Sequence, residues 1–127
     1  MTVTVSAMFI PVNDPDEALG FYRDALGFAL CEQATAKGKM FWCRLERGGA
    51  SLMLEQPPEG EGCLSGRRGV GITFYFVCDD ADLMYAELAA QGLKLDPPQV
   101  AYYGMKQLFV PEPDGYSICF ESPTTQR

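Results

Sequence analysis

A chain of 127 residues, 47% hydrophobic and 21% charged, has the composition of one small globular domain, which excludes disordered, collagen-like and low-complexity readings. Ten Lys and Arg against 17 Asp and Glu leave a net charge of −7, so phosphate repels the chain and nucleic acid is not an expected partner, whereas cationic small molecules are attracted. Histidine is absent, which excludes His-ligated metal sites, Ser-His-Asp triads and Cys-His dyads.

In chain order, Val3 to Val12 is β-branched and apolar and predicts a strand. Asp14 is placed to cap a helix, with Pro15 at its first position and Glu17 completing a capping box. Ala18, Phe21, Tyr22 and Ala25 share one helical face, and Gly27 ends the helix. Strands follow at 28–34, 40–46 and 50–56, separated by turns at Lys37-Gly38 and Arg47-Gly48-Gly49. Residues 58–68 predict a linker rich in Gly, Glu and Arg. Val70 to Cys78, with the run Phe74-Tyr75-Phe76, predicts a strand, and Asp79 or Asp80 caps a helix that runs to about Gln91 and ends at Gly92. Strands are expected at 100–103, 105–110 and 116–121, the last entered through the turn Glu112-Pro113-Asp114-Gly115.

Each half reads β-α-β-β-β, and the halves match as a repeat. At a separation of 65, Phe9 meets Phe74, Asp14 meets Asp79 and Gly27 meets Gly92; at 66, Gly49 meets Gly115, Ser51 meets Ser117 and Glu55 meets Glu121. Cys31, Cys43, Cys63, Cys78 and Cys119 are odd in number and show no C-x-x-C spacing, so buried free thiols are expected in place of a disulfide framework. No stretch approaches the roughly 18 uncharged apolar residues of a membrane span, and Met1 to Val5 lacks the pattern of a signal peptide. The expectation is a cytoplasmic protein with no membrane partner. Gly60 to Gly66 lacks the Lys of a phosphate loop, and Gly69-Val70-Gly71 precedes a strand where a dinucleotide fingerprint needs a helix.

Three segments carry a family likeness: Phe9-Ile10-Pro11-Val12-Asn13-Asp14 with the following Ala18 to Tyr22 and Leu26-Gly27-Phe28, then Tyr103-Gly104-Met105-Lys106, then Pro113-Asp114-Gly115-Tyr116. With the repeat, they resemble the vicinal-oxygen-chelate superfamily, which includes glyoxalases, dioxygenases and bleomycin-resistance proteins. The resemblance implies an α+β fold of two tandem βαβββ modules, at about 1–57 and 69–123, whose curved mixed sheets form a concave ligand cleft. It assigns the metal-ligand positions of catalytic members to Ala7, Met53, Ile72 and Cys119. Three of these side chains do not chelate a hard divalent cation, so no metal and no cofactor are expected.

The cleft is then apolar, with Phe9, Trp42, Met53, Phe74, Phe76, Tyr102, Tyr103 and Cys119 as its expected ligand-binding residues and Glu55 and Glu121 at its rim. The expected function is metal-independent sequestration of an aromatic, cationic, antibiotic-type molecule by a homodimer of the bleomycin-resistance kind. The alternative is a metal-independent lyase or isomerase of the glyoxalase superfamily, with Glu55, Glu121, Tyr102 or Tyr103 in acid-base roles and Cys119 as a nucleophile if its pKa is lowered. A third reading is a sensor or interaction module using the same cleft.

Overall fold

A computed structural model describes residues 1–3, 7–57, 69 and 71–124. The expected linker at 58–68, Cys63 and residues 4–6 of the first expected strand lie outside the described residues. The chain divides into two compact units, Met1–Gly66 and Arg67–Arg127.

The first unit runs β1 (Met8–Pro11), α1 (Pro15–Leu19), a π-helical continuation (Gly20–Ala25), β2 (Ala29–Ala36), β3 (Lys39–Arg47) and β4 (Ala50–Glu55). Its sheet has the order β1-β4-β3-β2, with β1 parallel to β4 and the other pairs antiparallel. The second unit runs β5 (Thr73–Val77), α2 (Ala81–Ala90), β6 (Gln99–Val100), β7 (Met105–Pro111) and β8 (Ser117–Pro123). Its sheet repeats the topology as β5-β8-β7-β6. The fold is α+β, two βαβββ units each with a four-stranded mixed sheet.

Both helices start on an aspartate cap. Asp14 Oδ1 accepts the amides of Asp16 and Glu17 at 3.0 and 3.3 Å, and Asp80 Oδ1 accepts those of Asp82 and Leu83 at 2.9 and 3.2 Å. Both exits carry a glycine in the left-handed region, Gly27 at φ 79° and Gly92 at φ 93°. The caps are 66 residues apart and the exits 65, so the first unit holds one extra residue between cap and exit. A regular α-helix cannot absorb it without turning later side chains off the sheet. The chain widens one turn instead, and the Leu26 amide donates to the Phe21 carbonyl five residues back at 3.0 Å. The buried residues of the helix and its exit are Pro15, Ala18, Leu19, Tyr22 and Leu26, with Phe21 and Ala25 only partly covered.

One face of each sheet forms the core beneath its helix. In the first unit this face carries Ile10, Cys43, Leu45, Leu52 and Leu54; in the second it carries Phe76, Leu108, Val110, Ile118 and Phe120, all buried. The start of α2 is tied to β8, the Ala81 amide donating to the buried Ser122 Oγ at 2.8 Å.

Strand pairing corrects the repeat. Phe9 lies opposite Met53, and Tyr75 lies opposite Cys119. Because Met53 and Cys119 occupy matching places in β4 and β8, the counterpart of Phe9 is Tyr75, not Phe74. A shift of one residue moves a strand's whole set of side chains to the other face. Phe74 and Phe76 therefore point to the helix side. Phe74 rests on Tyr116 with ring centroids 5.6 Å apart, and Phe76 on Phe120 at 5.3 Å. The strand expected at 100–103 is also shorter, ending at Val100. Ala101 to Gly104 closes a tight turn, with the Gly104 amide donating to the Ala101 carbonyl at 3.0 Å and the Ala101 amide to the Met105 carbonyl at 2.7 Å. Tyr102 and Tyr103 sit on that turn.

Candidate functional site

The sheet faces away from the helices hold most of the expected site residues, and each unit is described by itself. On the first unit's open face, one row crosses the strands as Phe9, Met53, Arg44 and Glu32, and the next as Pro11, Glu55, Trp42 and Ala34. Phe9 is 50% exposed, while Trp42, Met53 and Glu55 are half-buried. Arg44 Nε donates to Glu32 at 2.8 Å and its Nη1 to Glu46, and these two carboxylates raise its pKa further. The cation of this face is thus already neutralised by the protein.

On the second unit's open face, three rows cross β5, β8 and β7: Thr73, Ser117 and Pro111; Tyr75, Cys119 and Phe109; Val77, Glu121 and Gln107. Tyr75 and Phe109 are 49% and 50% exposed and flank Cys119, which is fully buried. Tyr103 leans in from its turn. Its hydroxyl donates to Glu121 Oε1 at 3.2 Å, and Gln107 Nε2 donates to that same oxygen at 3.1 Å and to the Tyr103 hydroxyl at 2.6 Å. Desolvation, and then the Glu121 carboxylate, push the Tyr103 phenol above its usual range. Tyr102 is wholly exposed and packs edge-on against Tyr103, with centroids 5.2 Å apart. A depression of about 350 Å³ borders this face at Phe109, Pro111 and Ser117 and is rimmed by Lys94 and Asp96.

Of the expected site residues, Phe9, Trp42, Met53 and Glu55 share the first unit's open face, and Tyr103, Cys119 and Glu121 share that of the second. Phe74 and Phe76 belong to the helix side, because their strand alternates in the opposite phase from the one expected. Tyr75, Phe109 and Gln107 are the residues that sequence reasoning missed. Gln107 lies opposite Glu121 where Trp42 lies opposite Glu55, so the repeat, placed in its true register, marks it.

A family model for the Glyoxalase/Bleomycin resistance protein/Dioxygenase superfamily matches residues 4–120. The chain belongs to this superfamily. TioX from Micromonospora sp. ML1 is similar in structure, with a TM-score of 0.78 and 22% identity over 95% of this chain and 99% of that one. TnmS3, an antibiotic binding protein from Streptomyces sp. CB03234, superposes with a TM-score of 0.70 and 26% identity over 96% and 97% of the two chains. A lactoylglutathione lyase from Agrobacterium tumefaciens gives 0.67 and 19% identity over 95% and 92%. No curated protein matches the chain. A binder and a lyase on one fold show that the fold does not choose the chemistry.

The superfamily's metal-dependent chemistry needs chelators on these faces, and the residues present do not fit it. The corrected register moves the second unit's first such position from Ile72 to Thr73, so the first unit offers Ala7 and Met53 and the second offers Thr73 and Cys119. A methyl group, a thioether and a hydroxyl hold a divalent cation poorly. Burial, reinforced by Glu121, pushes the Cys119 thiol up to about 11, leaving it protonated at neutral pH. Among the described residues, no three His, Cys, Asp or Glu side chains are grouped to share an ion.

Proposed function

We propose that this superfamily member is a metal-independent binding protein that sequesters a planar, aromatic, cationic small molecule of antibiotic type without altering it. The observation that carries the reading is the second unit's open face, where half-exposed Tyr75 and Phe109 flank a buried, protonated thiol at a position that metalloenzymes give to a chelator. Aromatic rings exposed in a row stack planar ligands with little ordering cost. The structural likeness to TnmS3 supports the same class of ligand. In this reading the protein acts in the cytoplasm, and as a homodimer; exposed Ile72, Tyr75, Val77 and Phe109 supply apolar surface for such an interface.

The enzymatic alternative has less support. A general base works best with a pKa near the working pH, and a nucleophilic thiol needs a lowered one. Tyr103 and Cys119 are both shifted upward.

Calorimetric titration against bleomycin and a panel of other glycopeptide and polycyclic aromatic antibiotics tests the proposal. Saturable one-site binding of at least one compound, recovered chemically unchanged, is expected. Absence of binding across the panel, or recovery of a modified compound, contradicts it.

A further inference from the structure

Resting on the reading of this face as a ligand site, we propose that Glu121 is the anchor for a protonated amine or amidine on the bound aromatic molecule, and that Gln107 is the residue that positions it.

Two carboxylates stand at matching places on the open faces, Glu55 opposite Trp42 and Glu121 opposite Gln107. Of the two, and among the described residues, only Glu121 is held in place by side-chain hydrogen bonds of its face. Gln107 and Tyr103 both donate to its Oε1, and Gln107 also donates to the Tyr103 hydroxyl, closing a triangle. Both donors are neutral groups, so they orient the carboxylate without neutralising it. Among the described residues no donor reaches Oε2.

The rows of this face contain no Lys or Arg: they are Thr73, Tyr75 and Val77 on β5, residues 105, 107, 109 and 111 on β7, and Ser117, Cys119 and Glu121 on β8. The nearest basic residue on β7, Lys106, points to the other side and donates to Asp82 of α2 at 2.7 Å. The first unit's face differs, since its Arg44 meets Glu32 and Glu46. Among the described residues the Glu121 carboxylate has no Lys or Arg partner, yet it is oriented, and it lies one row from two half-exposed aromatic rings. A cation placed there donates a charge-assisted hydrogen bond to Oε2 and gains the attraction of the ring faces together. Tyr103 supplies a third ring beside the same carboxylate. A planar cation satisfies every group on this patch, whereas a neutral aromatic leaves the oriented carboxylate without a partner.

The test uses two probes of one shape, 9-aminoacridine, a cation at neutral pH, and acridine, which is neutral at pH 8. Both are titrated calorimetrically into the full chain at pH 8 and low salt. Wild type is expected to bind 9-aminoacridine about tenfold tighter than acridine, the scale of one charge-assisted hydrogen bond. Glu121→Gln keeps an oxygen for Tyr103 and Gln107 and is expected to abolish that preference while holding acridine affinity within about twofold. Gln107→Leu removes no charge, and lowering the preference with acridine binding unchanged marks it as a positioning residue. Glu55→Gln makes the same charge change on the other face and is expected to preserve the preference. Equal affinities in wild type, an equal loss of both probes in Glu121→Gln, or a matching loss of preference in Glu55→Gln overturns the assignment while leaving aromatic binding standing. Failure of wild type to bind either probe overturns the assignment and the ligand reading of this face together.

Discussion

Replacing Tyr22 by alanine is expected to destabilise the protein by about 3–5 kcal/mol, the range for removing a buried aromatic ring that its neighbours cannot refill. Tyr22 is fully buried and stands at the widened turn that absorbs the first unit's extra residue. Its ring meets Phe21 edge-on at 5.3 Å and Phe28 at 6.2 Å, and its carbonyl accepts the Phe28 amide at 2.9 Å, so one residue joins the helix to the strand that follows it. A small domain has only about 5–15 kcal/mol in total, so the variant's thermal midpoint should fall by about 10–20 °C. The counterpart in the second unit is Leu88, 66 residues on and likewise fully buried, and Leu88→Ala should lose about 2–5 kcal/mol. Thermal and urea unfolding followed by circular dichroism checks both. A loss below about 1 kcal/mol for Tyr22→Ala, a typical surface value, would show that the helix is not packed as described.

The double variant Tyr75→Ala, Phe109→Ala is expected to weaken binding of a planar aromatic ligand by about 100- to 1000-fold while changing stability little. Truncating one aromatic contact at the centre of a binding surface removes about 2 kcal/mol, and the two rings sit on either side of Cys119. Each is already about half exposed, so its loss leaves no cavity in the core. Phe74→Ala provides the opposite pattern. That ring lies on the helix side against Tyr116, so its removal should lower the thermal midpoint and leave affinity within about twofold. Titration of acridine into the three proteins, with a melting curve for each, separates the two faces of β5. Loss of affinity in Phe74→Ala with none in the double variant would reverse the assignment of faces.

These neighbouring aromatics also show where sequence reasoning succeeds and where it runs out. The first cap was legible because Asp14 followed by Pro15 carries a local signal that does not depend on tertiary packing, whereas the second was legible only as Asp79 or Asp80, and the structure places it at Asp80. The helix exits were legible because a left-handed residue selects glycine. The phase of β5 was not, since Phe74, Tyr75 and Phe76 make both faces aromatic and hydrophobic alternation gives no vote. The extra residue misled in the same way: exits 65 apart suggested that separation for β1 and its helix cap as well, whereas β1 and the cap stand 66 from their counterparts and the π-helical turn takes up the difference. Gln107 was invisible for another reason. A glutamine on a strand has no chemistry of its own, and its place opposite Glu121 exists only once β7 and β8 are paired.

The second unit's open face is expected to bind its ligand without a metal. Metal-free binding is tested most directly by elemental analysis of protein purified without a metal-affinity tag, before and after EDTA, with 9-aminoacridine titrated into both samples. A substoichiometric divalent metal content and an unchanged dissociation constant are predicted, because neither Ala7 and Met53 in the first unit nor Thr73 and a protonated Cys119 in the second offer chelators. One Zn, Ni, Fe or Mn per chain, lost in EDTA together with the binding, would contradict it.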